Sequence, residues 1–112
     1  MSESRASFHF DLDPRWEEAV RRGGKTIDVR VNIAPYADVK KGDVIRYGST
    51  EVVVRSIRAY PGISDLLAYE GHERVVPGAA DLKEALKVLL EIFHYKEPPH
   101  GVLAFEIEPL KD

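Results

Sequence analysis

Lys25, Asp28 and Arg30 are the residues of this chain whose types and spacing best suit chemistry on a bound ligand. They follow a pair of glycines, in the stretch Gly24-Lys25-Thr26-Ile27-Asp28-Val29-Arg30. Ile27, Val29 and Val31 alternate with Thr26, Asp28 and Arg30, the period of a half-buried strand. Two residues apart on a strand, Asp28 and Arg30 project from one face toward one groove. A buried carboxylate beside a guanidinium keeps both groups charged, and Arg offers a planar fork that fits a phosphate or a base edge. Lys25, at the strand entrance, is placed to donate to an oxyanion or a phosphate. Desolvated next to Arg30, its pKa would fall and it would serve as a base. The plainer reading is an Asp–Arg pair that plugs a barrel end, with Lys25 in solvent.

Tyr36, Tyr47 and Tyr60 are candidate stacking platforms for a base, each contact being worth ~1–3 kcal/mol, and of these Tyr60 joins the expected ligand site. Tyr in strands and loops also serves as half-buried packing, and Trp16 at helical spacing reads as core. His9, His72, His94 and His100 show no metal-ligand spacing. No cysteine is present, which excludes a disulfide framework, a thiolate nucleophile and a zinc site built on Cys. Neither a Gly-rich phosphate loop, a G-x-S-x-G elbow nor a dinucleotide fingerprint occurs. The chain is therefore expected to need no metal and no cofactor.

The elements that must position these residues are legible in outline. Phe8, Phe10 and Leu12 alternate with His9 and Asp11 as in a strand. Asp13-Pro14 predicts a helix start, with Trp16, Ala19 and Val20 inward and Arg21-Arg22-Gly23-Gly24 at its end. Residues 32–39, with Pro35, read as a loop. Lys41-Gly42-Asp43 turns the chain into Val44–Tyr47, and Gly48-Ser49 into Glu51–Ala59, a hairpin with Val52, Val54 and Ile57 facing the core. Ser64 is expected to cap a short helix carrying Leu66, Leu67 and Tyr69 that stops at Gly71. Asp81 and Glu84 form a capping-box pattern before a helix with Leu82, Ala85, Leu86, Leu89, Leu90 and Phe93 inward. After Pro98-Pro99, residues 102–108 alternate as a last strand. Strands outnumber helices and short turns join several of them, so the expected fold is α+β: a small, mostly antiparallel β-barrel flanked by two to three helices.

At 112 residues the chain fits one domain, 1–112, able to bury a core without staples. No apolar run approaches the ~20 residues of a membrane span, and the polar start lacks the apolar stretch of a signal peptide. A cytoplasmic location is the expectation. The net charge of −3 hides a division: residues 14–60 carry ten Lys/Arg against six Asp/Glu, and residues 61–112 carry five against ten. A chain that is acidic overall can still present a basic surface to a phosphate.

Four motifs in this order resemble the ASCH family of the PUA-like superfamily. Gly24 to Arg30 is similar to the signature G-x-K-T-I-E-x-R, with Asp28 where Glu is usual; Lys41-Gly42-Asp43-Val44-Ile45 is like its G-D-x-I strand. Tyr60 through Leu67, with Glu70-Gly71 and Pro77-Gly78, resembles a stretch of archaeal-type members, and Gly101 to Pro109 resembles the final strand. The resemblance runs from about Phe8 to Pro109. It implies a barrel whose cleft receives RNA or a nucleotide-like ligand through Lys25, Asp28, Arg30 and Tyr60, in RNA metabolism, translation or transcription coactivation. Where many members carry a basic D-x-K-R, this chain has Asn32-Ile33-Ala34-Pro35-Tyr36, without a cation. The family also includes a small amidohydrolase acting on acetylated cytidine. That implies an alternative: a metal-independent hydrolase, an amidase or a ribonuclease, with Lys25 and Asp28 as catalytic residues. Asp28 stands where that enzyme has Thr, and its Glu corresponds to Glu70, Glu73 or Glu84. A protein-interaction module docking through the acidic C-terminal half is the third reading.

Overall fold

The computed structural model describes residues 6–110. Five strands form one curled sheet, a half-barrel, in the order β1-β3-β4-β5-β2. These are β1 (Ser7–His9), β2 (Ile27–Val31), β3 (Val44–Tyr47), β4 (Thr50–Tyr60) and β5 (Val102–Pro109). All neighbours run antiparallel except β1, which lies parallel to β3. The helices are α1 (Pro14–Arg21), α2 (Ile63–Glu70), the single turn α3 (His72–Val75) and α4 (Leu82–Ile92). The α+β half-barrel is the architecture expected from the sequence.

The alternation along β5 separates two cores. Leu103, Phe105 and Ile107 point into the half-barrel with Val52, Val54, Ile45, Tyr47 and Phe10. Val102 and Ala104 point outward with Ile27, beneath α2 and α4. A bulge between Val54 and Ser56 shifts the register of β4 by one residue. Val52 and Val54 therefore share the inner face with Ile57, despite the odd spacing, while Ser56, Arg58 and Tyr60 fall on the outer face.

The helix ends follow their local chemistry. Asp13 accepts a hydrogen bond from the Arg15 amide at 3.0 Å and Pro14 opens α1. Asp81 accepts from the Glu84 amide at 2.9 Å, and the Glu84 carboxylate accepts from the Ala80 amide rather than that of Asp81. Three local expectations are corrected. Ser64 does not cap α2, which starts two residues earlier than a Ser64 cap implies, at Ile63, with Gly62 as its cap. Tyr69 and Leu82 face solvent rather than the core, being 79% and 44% exposed.

Candidate functional site

Asp28 and Arg30 meet, as neighbours on the inner face of β2 must. Arg30 Nε donates to Asp28 Oδ2 at 3.0 Å, and Tyr47 of β3 donates its hydroxyl to the same oxygen at 2.6 Å. Asp28 is buried, and 14% of the Arg30 side chain is exposed. Arg30 Nη2 donates to the Asp11 carbonyl at 2.7 Å, tying β2 to the segment after β1. The guanidinium lies between 5.4 and 5.9 Å from the ring centres of Phe10, Tyr36 and Tyr47. Burial works against the charge on Arg30, but Asp28 beside it outweighs that and holds the pKa above its ordinary value. Burial, with Asp28 alongside, pushes the Tyr47 hydroxyl well above its usual range. Next to this cluster a groove of about 570 Å³ is lined by His9, Phe10, Asp11, Leu12, Glu17, Tyr47 and Gly48. Phe10, Asp11 and Tyr47 thus belong both to the groove wall and to the setting of Arg30.

Lys25 is held apart from this pair. It is 2% exposed, and its Nζ donates to the Ile27 carbonyl at 2.8 Å and to the Val75 carbonyl. The ammonium stands 4.4 Å from the ring centre of Trp16. Burial lowers its pKa to about 8, with Asp28 opposing that shift and Arg30 adding to it. Among the described residues no carboxylate lies within ion-pair distance of Lys25. Glu73 and Glu84 are exposed, and Glu70 is engaged elsewhere. Its hydrogen bonds link β2 to the end of α3. The described residues contain no group of three His, Asp or Glu suited to a metal, and no helix long and apolar enough to cross a membrane.

No protein-family model matches the sequence, and neither does any curated protein. Solved structures do match. The hypothetical protein PH0355 superposes with a TM-score of 0.86 at 32% identity, over 93% of this chain and 99% of that one. Protein PF0455 from Pyrococcus furiosus gives 0.78 at 32% identity, over 95% and 99%. A point variant of ZmASCH from Zymomonas mobilis gives 0.65 at 14% identity, over 96% of this chain and 74% of that one. The chain belongs to one family with PH0355 and PF0455, and its fold is that of an ASCH domain.

The outer face of this ASCH fold carries a second polar cluster that the sequence did not reveal. Arg58 grips the buried Glu70 carboxylate with Nε and Nη2, at 2.6 and 2.8 Å, and reaches Glu106 at 3.0 Å and Ser56 at 2.7 Å. Tyr60 donates its hydroxyl to Glu70 at 2.5 Å. Arg74 lies 3.7 Å from Glu106 and donates to Thr26 Oγ1 at 3.2 Å. Hydrogen bonds from Arg58 hold the Glu70 carboxyl below its ordinary pKa, while partial burial beside Glu70 raises Tyr60. Tyr60 thus stands on the face opposite Asp28 and Arg30. The bulge in β4 brings the cluster together, and only the odd spacing of Val54 and Ile57 hinted at it.

Proposed function

We propose that this chain binds RNA or a nucleotide-like ligand at the mouth of the half-barrel, with Arg30 as the principal contact. One observation carries the reading. A guanidinium fixed by a buried carboxylate and framed by three aromatic rings stands behind a groove large enough for a base, whose wall includes its neighbours Phe10, Asp11 and Tyr47. Asp28 aims the fork, Tyr47 holds Asp28, and the spare N–H groups of Arg30 and the aromatic walls read the ligand. Ordering is built in before the ligand arrives, which lowers the entropy cost of binding. The cation-free loop after β2 leaves Arg30 as the inner-face cation of that strand. A cysteine-free chain of this kind fits a reducing cytoplasm, where RNA is met.

The hydrolase alternative draws less support. Lys25, its proposed base, is spent on two main-chain carbonyls behind Trp16, and none of Glu70, Glu73 and Glu84 pairs with it. NMR titration with short RNAs and a panel of nucleosides tests the proposal: amides of β2 and residues 9–12 should shift. Arg30→Ala should abolish those shifts while the domain stays folded. Equal binding by Arg30→Ala and the parent would overturn it.

A further inference from the structure

The groove in front of the Asp28–Arg30 pair has walls of one hydrogen-bonding character. Asp11 and Glu17 each bring a carboxylate to it, and among the described residues that line it none is Lys or Arg. Two elements supply these acceptors: Asp11 lies in the segment after β1, and Glu17 on α1. Arg30 binds Asp11 through the main-chain carbonyl, which leaves the Asp11 carboxylate to the groove. Glu17 reaches toward the β3–β4 turn, where a Cβ built on Gly48 would stand 3.7 Å from its Oε2. Donors are scarce by comparison. The Tyr47 hydroxyl is given to Asp28, and Phe10 and Leu12 have none, so His9 is the remaining side-chain donor of the lining. Arginines near the groove are engaged as well. Arg30 faces Asp28, Arg46 donates to the Gly48 carbonyl at 3.1 Å, and Arg21 is shared between Glu17, at 3.4 Å, and Glu18. A carboxylate accepts about four hydrogen bonds, so Glu17 keeps capacity for a ligand.

We infer that the groove takes the base of a nucleoside bearing an exocyclic amino group, with Asp11 and Glu17 as the acceptors that read it. The inference rests on the groove reading and names the ligand class for it. An amino group brings two N–H donors to a carboxylate, whereas a carbonyl at the same place sets oxygen against oxygen. A site built of acceptors rejects the carbonyl analogue strongly, because its own polar groups are then left unpaired. Phe10 and Tyr47 give the base an aromatic wall, and the spare donors of Arg30 suit a ring nitrogen beside the amino group. A phosphate gains nothing between two carboxylates of its own sign, so that part of a nucleotide stays outside the groove.

The test titrates the full chain with adenosine, inosine and AMP at fixed salt, followed by NMR. Inosine carries a carbonyl where adenosine has its amino group. Adenosine is expected to shift the amides of residues 9–12 and to bind roughly tenfold or more tighter than inosine. AMP should bind no tighter than adenosine. The double variant Asp11→Asn with Glu17→Gln offers donors as well as acceptors in nearly the same shape, and should lose most of that preference. Both side chains reach solvent, and the tie from Arg30 to Asp11 runs through the main chain, so the variant folds, which circular dichroism checks. Equal affinity of the parent for adenosine and inosine, or tighter binding of AMP, would sink the inference and leave the groove reading standing. A preference that survives intact in the double variant would sink it too, since other groups would then read the amino group. If none of the three compounds moves an amide of residues 9–12, the groove reading falls and the inference with it.

Discussion

Tyr47 and Asp28, nineteen residues apart in the chain and on strands that share no ladder, are joined by a buried 2.6 Å hydrogen bond from hydroxyl to carboxylate. That bond, with the one from Arg30, places two donors on a single buried oxygen. The position of Arg30 is thus set by a tyrosine on another strand. Tyr47→Phe should keep the packing of the ring and lose the donor. A hydrogen bond to a charged group contributes about 1.5–3 kcal/mol, and the denaturant midpoint should fall accordingly with an unchanged m-value. Ligand affinity should weaken with it, because Asp28 then aims Arg30 alone. An unaltered midpoint would show that the bond contributes nothing.

Lys25 should make stability depend on pH in an alkaline window. Its folded pKa is depressed, to about 8 against an ordinary 10.5, so above pH 8 the unfolded chain holds a proton that the folded chain has released. Stability therefore rises with pH there, by about 2 kcal/mol between pH 8 and 10. Near pH 10 the trend should reverse, since Tyr47 keeps its proton in the fold beyond the point where the unfolded chain loses it. Lys25→Met should remove the rise. Chemical denaturation at stepped pH reads both slopes, and a parent as flat as the variant would contradict the assignment.

Glu70 acts at the other end of the scale. Arg58 holds its folded pKa below the ordinary 4.5, so its contribution is present above that value and is lost as pH falls through the folded pKa. Glu70→Gln should be less stable than the parent at neutral pH and should lose less on acidification. Tyr60 should become freer in the variant, seen as faster ring motion by NMR. Convergence of the two proteins as pH falls through the depressed folded pKa of Glu70 is the expected pattern; parallel curves would exclude it.

Gly101→Ala should destabilise the junction before β5. Gly101 has φ +82°, and a Cβ there would stand 2.5 Å from the Tyr60 carbonyl. The left-handed conformation alone costs an alanine roughly 1–2 kcal/mol, and the close approach adds to it. The melting temperature should drop, with amide shifts spreading along β4 and β5 from Tyr60 and Val102. A neutral substitution would mean that the turn has another conformation open to it.

Much of this fold is legible in the chain because local chemistry and tertiary packing agree. Asp13-Pro14 and the Asp81/Glu84 pair mark helix starts that the structure contains, and the alternation of residues 102–108 divides the two cores as written. Other features escape because they depend on partners distant in sequence. Ser64 is a good cap in isolation, yet the turn after β4 places Gly62 there. Tyr69 and Leu82 sit at helical spacings compatible with the core, but the neighbouring elements cover only the faces bearing Leu66, Leu67, Ala85 and Leu89. At the site, spacing places Asp28 beside Arg30, since neighbours on one strand face must meet. It could not show that Lys25 turns to the Val75 carbonyl, fifty positions away, or that Glu70 is claimed by Arg58.

The half-barrel leaves its outermost strands, β1 and β2, without a shared ladder, since they lie at opposite ends of the strand order. Among the described residues Arg30 reaches across that seam, through its bond to the Asp11 carbonyl and its guanidinium over the Phe10 ring. The residue proposed to meet a guest thus also fastens the leading strand, and losing it should loosen both.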